Sequence, residues 1–376
     1  MRGLSPSRIG YRSIAMKSAA ATRRPRSVSR KLPVRIEWGP VFELVATVSV
    51  FLHRDQHAYY DLGAAWFATI ESEVPDTTKQ LRAYAGGSIL IWDHLLGLAA
   101  DAGSNHGIGA FADYVGSLDP NVLRLELLGR SMRPMQRRVG VERIERAAAG
   151  DATAQRDFLR IPYPEDPAWP TGLRQLLKRS PDETQQTLVA LLRVLARDFS
   201  PYFEPMLPAL RADAEAKRAA SRTLEPLALI RSAIDTAYVP TGDVSEVTLI
   251  PSFAIRPFVY YIEHRDQMLF LYPVDLRFLG SVGSGPPERL VRLAAALGDR
   301  GRLQILATLK ERDMTLKELG EKLGLPRSTL RHHVGILRSA GLLRPMQSGT
   351  GFSSYQLREE AATDLAELVE GFLRGS

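Results

Sequence analysis

The chain has 376 residues, of which 45% are hydrophobic and 24% charged, values that are ordinary for a soluble globular protein of two domains. It contains no cysteine, which excludes disulfides, thiolate metal ligands and cysteine nucleophiles. The net charge of +7 is uneven: residues before Glu37 carry +10, residues 37–286 carry −6 and residues 287–376 carry +3.

Residues 1–33 are rich in Arg, Ser and Ala, lack acidic side chains and show no hydrophobic period, which predicts a disordered basic tail. Two interpretations stay open: a tail that holds DNA phosphates non-specifically, or a leader that arises from a gene start set too early, with Met16 as a second candidate start. No secretory h-region and no membrane-length apolar stretch is present, so we expect a cytoplasmic protein without a membrane partner.

Residues 34–279 are predicted to form a helical regulatory, effector-binding or dimerisation domain. Apolar residues recur on one helical face after Pro40, and Ala, Leu, Glu and Arg dominate a long helix predicted around Tyr202–Ala237. The other predicted helices are Leu62–Glu71, Ser88–Ala100, Gly109–Ser117, Asn121–Leu128, Val141–Ala149 and Asp182–Phe199.

Short β-branched and aromatic runs at Val244–Ile250, Phe258–Ile262 and Met268–Tyr272 predict a small sheet that closes this domain. The glycine-rich segment Gly280–Pro287 is typical of a flexible linker. It lacks the Lys-Ser/Thr of a phosphate-binding loop, which excludes that interpretation. The expected fold class is therefore mainly α (α+β): a helical N-terminal domain with a small sheet, followed by a C-terminal winged helix-turn-helix.

Residues 288–376 show the order helix, helix, helix-turn-helix, hairpin, helix. Thr315 and Glu318 have capping-box spacing before a short helix, Leu316–Leu323. Gly324 then suits the left-handed residue of the tight turn, and Arg327–Ser339 is the predicted recognition helix. A glycine-containing hairpin between residues 342 and 357 predicts the wing.

The recognition helix is predicted to have one apolar face and one polar, basic face, which fits the major groove of DNA. Gly335 leaves room for close approach. The candidate DNA-binding residues are Arg327, Ser328, Thr329, Arg331, His332 and Arg338 on this helix, Lys317 on the preceding helix, and Arg344 and Gln347 on the wing.

The segments Leu297–Leu309, Thr315–Leu325, Ser328–Val334 and Leu337–Leu343 resemble the arsenical-resistance-repressor (ArsR) family. Arg302, His333 and Tyr355 match family positions in the second helix, the recognition helix and the wing, whereas Pro326 and Arg331-His332 depart from the pattern. The DNA operator sequence that members of this family recognise therefore cannot be carried over to this protein. The resemblance implies dimerisation through the first and last helices of this domain, with Leu290, Leu293, Leu365, Leu368, Val369 and Phe372 as the candidate interface.

The metal sensing known in this family does not fit the residues, since cysteine is absent and residues 359–376 contain no histidine. We therefore predict no metal site and no cofactor. Pro40–Ser49 and Leu249–Phe253 resemble, more faintly, the large N-terminal domain of some actinobacterial-type ArsR-like regulators, whose ligand this resemblance does not name.

The sequence predicts a DNA-binding transcriptional regulator, a homodimeric repressor that reads an inverted repeat under the control of an unknown, non-thiolate effector. Its expected partners are double-stranded DNA, a second copy and a small-molecule effector. No catalytic elbow, His-Glu-x-x-His pair or dinucleotide fingerprint occurs, so no enzyme is predicted. Two alternatives stay open: an N-terminal enzyme or interaction module tethered to DNA, and a C-terminal helical bundle that only mediates protein contacts.

Overall fold

The computed structural model describes residues 32–103, 107–163, 166–235, 238–279, 288–348, 351–358 and 360–374. Nearly all of the predicted basic tail and the whole of the predicted linker 280–287 lie outside the described residues. Among the described residues, no helix is both long enough and apolar enough to cross a lipid bilayer.

The first part of the chain is mainly helical, and proline starts many of its helices. Pro40, Pro75, Pro120, Pro181 and Pro226 each occupy the first helical position, where the missing N–H leaves no intrahelical hydrogen bond unmade. The helices are α1 (Pro40–Leu52), α2 (Gly63–Glu73), α3 (Pro75–Ala85), α4 (Leu90–Ala102), α5 (Ile108–Ser117), α6 (Pro120–Leu127), α7 (Arg133–Val139), α8 (Val141–Ala148), α9 (Ala152–Arg160), α10 (Trp169–Lys178), α11 (Pro181–Phe199), α12 (Leu207–Ala220) and α13 (Pro226–Ile234).

A four-stranded sheet closes this domain, with the order β1-β2-β4-β3. Its strands are β1 (Val34–Ile36), β2 (Glu246–Ser252), β3 (Tyr260–His264) and β4 (Gln267–Pro273). β2 runs parallel to both β1 and β4, and β3 runs antiparallel to β4. Leu269 and Leu271 of β4 belong to the main helical core, whereas Met268 and Phe270 belong to a second core that includes α13, so the strand is buried on both faces.

Three predicted strands are confirmed within two residues at each end, and β1 adds a strand that the sequence did not indicate. The prediction of one long helix around Tyr202–Ala237 is wrong. The structure instead has two 3₁₀ turns, Ser200–Tyr202 and Glu204–Met206, then α12 and α13. Pro226 explains the break, because proline disfavours helical backbone in the residue that precedes it.

The C-terminal part has its own hydrophobic core, formed by residues between Leu293 and Ala361. The element order is the predicted one, and the bounds of α16 and α17 are those predicted. The elements are α14 (Glu288–Leu297), α15 (Arg300–Leu309), α16 (Leu316–Leu323), α17 (Arg327–Ser339), β5 (Leu343–Ser348), β6 (Gly351–Leu357) and α18 (Ala361–Arg374). The predicted fold class, mainly helical with small sheets and a C-terminal helix-turn-helix, is confirmed.

Candidate DNA interface

The helix-turn-helix begins at a complete capping box. The Thr315 hydroxyl accepts a hydrogen bond from the N–H of Glu318 at 3.1 Å, and the Glu318 carboxylate accepts one from the N–H of Thr315 at 2.8 Å. Arg312 also donates to this carboxylate. The hydrogen bond from the Thr315 backbone, helped by Arg312, lowers the pKa of Glu318 to about 2. Glu318 therefore stays charged, and the start of α16 is fixed.

The tight turn depends on Gly324, which has a φ of +66° and ends α16 in the left-handed conformation. This conformation is strained for residues with a Cβ atom. α17 then packs its apolar face, Leu330, Val334 and Leu337, into the core of the C-terminal domain. The opposite face of α17 is thereby directed away from that core.

The first turns of this opposite face are open to solvent. Arg327, Ser328, Arg331 and His332 are exposed, and Thr329 is half-buried. Within the described residues, neither Arg327 nor Arg331 forms an ion pair, so both guanidinium groups are available to phosphates or base edges. Lys317 on α16 is also exposed, at 85%, and lies 3.8 Å from Glu321 one turn later.

The two candidate residues on the wing lie in different surroundings. Gln347 is in β5, where its backbone is paired with Phe352. Arg344 lies near the start of β5 and forms an ion pair with Glu360 at 2.5 Å, with only 21% of its side chain exposed. The structure therefore places Arg344 close to α18 and away from the hairpin tip. A DNA contact by either residue stays a prediction.

Two of the residues that match the ArsR pattern have local structural partners. Arg302 donates hydrogen bonds to the carbonyl oxygens of Ala295 and Ala296, both at 2.8 Å, and so caps the end of α14. His333 is only 16% exposed, with its Nδ1 atom 4.0 Å from the Asp299 carboxylate. These contacts join α14, α15 and α17.

The middle and end of α17 touch the N-terminal domain. The hydroxyl of Tyr59, at the end of the 3₁₀ helix Arg54–Tyr59, lies 2.6 Å from Nδ1 of His332. A Cβ atom added at Gly335 would lie 3.2 Å from the Tyr59 ring. The guanidinium of Arg338 lies 5.1 Å from the centre of the Phe258 ring. The N-terminal domain therefore contacts the face of α17 that is expected to meet DNA bases, at His332, Gly335 and Arg338, while the first turns of this face stay exposed.

The sequence did not indicate this docking of α17. From the sequence, the aromatic residues Tyr59, Tyr60, Trp66, Tyr84 and Trp92 are candidate walls of an apolar effector pocket between the helices of the N-terminal domain, with an aromatic core as the alternative. Tyr60, Tyr84 and Trp92 are buried core residues. Tyr59 and His332 are separated by 273 positions in the sequence, so no local sequence pattern connects them.

The six candidate dimer residues differ in accessibility. Leu293 is 1% exposed and belongs to the core of its own domain, and Leu365 and Leu368 pack against that core. Leu290 and Val369 are half-buried, and Phe372 is 47% exposed. On the same two helices, Val291 and Leu373 are 44% and 75% exposed, so exposed apolar surface is present on both.

No grouping of three or more His, Asp or Glu side chains within the described ranges is arranged to hold a metal ion. His53 and His57, which have i, i+4 spacing, have other neighbours. His57 Nε2 lies 3.0 Å from the Phe51 carbonyl oxygen and its ring stacks on Phe67, whereas His53 lies 3.5 Å from the Tyr260 hydroxyl.

Comparison with known proteins supports the helix-turn-helix geometry. A family model for a helix-turn-helix domain matches residues 297–345. An uncharacterized HTH-type transcriptional regulator of Methanocaldococcus jannaschii is 30% identical over 84 residues, which cover 93% of that protein and 22% of this chain. This chain belongs to the HTH-type transcriptional regulators. The sequence-based prediction of a helix-turn-helix regulator is thus confirmed.

A second regulator of this type is similar over a comparable length. The HTH-type transcriptional regulator KmtR of Mycobacterium tuberculosis is 34% identical over 76 residues, which cover 58% of that protein and 20% of this chain. No solved structure matches the chain. Both matches leave about four-fifths of the chain without a counterpart, so they do not define the role of the N-terminal domain.

Proposed function

We propose that this HTH-type regulator is a homodimeric repressor of the ArsR type that reads an inverted repeat and responds to a small effector. The observation that carries the DNA-reading part is the exposed face of α17: Arg327, Ser328 and Arg331 are open to solvent there, and Lys317 on the preceding helix α16 is exposed as well. Arginine donates two hydrogen bonds to guanine in the major groove, and a lysine in this position holds a phosphate.

The homodimer is supported by the exposed apolar side chains on α14 and α18. These two helices contact each other within one chain, and Val291, Phe372 and Leu373 leave apolar surface there for a second copy to cover. A two-fold symmetric dimer presents its recognition helices to half-sites about one helical turn apart. The resemblance to ArsR repressors gives the same two helices as the interface.

The response to an effector is supported by the docking of α17 against the N-terminal domain. A ligand changes DNA affinity only when it binds the docked and undocked arrangements differently. The contacts of Tyr59 with His332 and Gly335 support this part of the proposal, because such a difference can act on the surface that they form.

A DNA-binding measurement on the full-length protein tests the DNA-reading part. Fluorescence anisotropy with DNA from upstream of the gene should give a lower Kd than with unrelated DNA of equal length. Arg331→Ala should weaken the specific complex by about 1–3 kcal/mol and relax specificity at one base pair.

Arg160→Ala is the matched control, since it removes an exposed arginine from α9 in the N-terminal domain. It should leave the Kd unchanged. Equal affinity for both DNAs, with Arg331→Ala indistinguishable from Arg160→Ala, would contradict DNA reading by α17.

A further inference from the structure

A cavity of about 390 Å³ lies between the N-terminal domain and the winged helix-turn-helix. Its walls come from β4, α12, α13 and the loop around Phe258 on one side, and from α14, α17 and the start of the wing on the other. It exists only while the two domains are docked. It is therefore built by the arrangement that also covers part of the recognition helix.

The walls of this cavity are strongly cationic: seven arginine and lysine side chains face four carboxylates. The N-terminal domain contributes Lys217 and Arg256. The C-terminal domain contributes Arg289, Arg292, Arg338, Arg344 and Arg358. Bringing like charges together across a domain interface is unfavourable, so the docked arrangement gains stability from an added negative charge.

The carboxylates of the cavity already have partners. Asp61 lies between the two domains: its carboxylate accepts a hydrogen bond from Arg256 at 3.0 Å and forms an ion pair with Arg292 at 2.5 Å. Asp213 accepts hydrogen bonds from the Tyr272 hydroxyl and the N–H of Asp275. Asp235 pairs with Arg358 at 2.9 Å. Two partners lie outside the cavity walls: Glu360 pairs with Arg344, and Arg277 pairs with Asp275. Within the walls themselves, cationic side chains outnumber carboxylates.

Three of the arginines also have unused hydrogen-bond donors. The Nε atoms of Arg292, Arg338 and Arg344 are buried, and none has an acceptor among the residues that the structure describes. A buried donor without an acceptor is costly, and more so when it is charged. Because these Nε atoms are fully buried, an anion in the cavity would be held by its negative charge and by the terminal nitrogen atoms of the wall cations.

We propose that this interdomain cavity binds a small polyanion, a molecule with phosphate groups or several carboxylates, and that the bound anion keeps the recognition helix docked. The polyanion contacts both domains at once, so it binds the docked arrangement and stabilises it. DNA requires the undocked arrangement, because Tyr59 and Phe258 contact the α17 residues His332, Gly335 and Arg338 on the side that is proposed to meet DNA. By linkage, polyanion and DNA then weaken each other's binding.

Anion binding is tested first without DNA, by isothermal titration calorimetry on the full-length protein at fixed ionic strength. The probes are inorganic pyrophosphate and citrate, with glucose as the neutral control. We expect one site per chain for at least one anion and none for glucose. The stronger of the two probes distinguishes phosphate from carboxylate chemistry. Absence of binding by both anions would overturn the proposal.

Four variants locate the site. Lys217→Gln and Arg292→Gln change one cationic wall residue from each domain, and each should weaken anion binding by about tenfold, since one charge-assisted hydrogen bond contributes roughly that much. Arg211→Gln, on the exposed side of the same helix as Lys217, and Lys317→Gln, on the DNA-facing surface, should leave it unchanged. A loss with Lys317→Gln but not with Lys217→Gln would place the anion on the DNA surface and overturn the proposal.

The regulatory half of the proposal, that the bound anion weakens DNA binding, rests on the proposed function and is measured separately. At constant ionic strength, the bound probe should raise the Kd for DNA, by up to about 100-fold at 100 times its own Kd. Lys217→Gln should need about ten times more probe for the same effect. An unchanged DNA affinity with the probe bound would overturn the regulatory half. If no DNA binds at all, the proposed function fails, whereas the calorimetry still decides the anion site.

Discussion

The contact between Tyr59 and the recognition helix gives a direct test of the docked arrangement. Tyr59→Phe keeps the ring against Gly335 and removes only the hydroxyl, which lies 2.6 Å from His332. This hydrogen bond is at an exposed position, where its net contribution is about 0.5–1 kcal/mol. If the docked arrangement dominates in free protein, the whole of this loss appears as tighter DNA binding. We expect a two- to fivefold lower Kd, because about 1.4 kcal/mol corresponds to tenfold.

Tyr59→Ala should have a larger effect. Removing the half-buried ring takes roughly 1–1.5 kcal/mol of stabilisation by apolar burial from the docked arrangement, in addition to the hydrogen bond. The Kd for DNA should therefore fall by about tenfold or more. Tyr202→Phe is the matched control, because it removes a hydroxyl that donates to Glu73 at 2.5 Å within the N-terminal domain. Its DNA affinity should equal that of wild type.

The assay is fluorescence anisotropy with one DNA fragment at one salt concentration, since DNA affinity depends steeply on salt. If Tyr59→Phe and Tyr59→Ala leave the Kd unchanged or raise it while Tyr202→Phe behaves as wild type, Tyr59 does not hold α17 in the docked arrangement. The chain has no cysteine, so dyes at Asp113→Cys and Glu321→Cys, both exposed, offer an independent distance readout. Specific DNA should change the transfer efficiency between them.

Three further predictions concern DNA contact, stability and assembly. Lys317→Ala should weaken binding to specific and to unrelated DNA equally, and should lower the slope of log affinity against log salt concentration by about one. A change in sequence preference would argue against a phosphate contact. Glu43 is buried, and its burial raises the pKa of the carboxyl to about 7. This folded-state value exceeds the unfolded one, so its stabilising contribution is present at low pH and is lost as pH rises. Between about pH 4.5 and 7, the free energy of unfolding of wild type relative to Glu43→Gln should fall by about 3 kcal/mol in denaturant titrations, and parallel pH profiles would contradict this. Phe372→Asp should shift sedimentation from dimer to monomer, and an unchanged dimer would exclude this part of α18 from the interface.

The parts of the fold with a local chemical cause were predictable from the sequence. Thr315 and Glu318 form the expected capping box, and Gly324 has the expected left-handed conformation. The apolar spacing in α17 also fixed which face packs inward. These features depend on residues within one or two turns of each other, and their physical chemistry is therefore visible in a short window.

The features that the sequence did not predict depend on competing local preferences or on contacts between residues that are distant in the sequence. The residues around Tyr202–Ala237 favour helix by composition, but Pro226 favours a break before it, and the stretch is divided into α12 and α13. Arginines that face the interdomain cavity have the same charge as arginines that face DNA, so composition could not separate Arg344 from Arg331. Which surface an arginine joins is decided by the docking of two domains, and that information is not local.

Selection of random double-stranded DNA by the purified full-length protein, followed by sequencing, tests the central claim most directly. We expect enrichment of an inverted repeat with half-sites about one helical turn apart, and loss of enrichment at one position in each half-site with Arg331→Ala. A selected pool without a shared sequence, or one that Arg331→Ala leaves unaltered, would contradict DNA reading by the exposed face of α17.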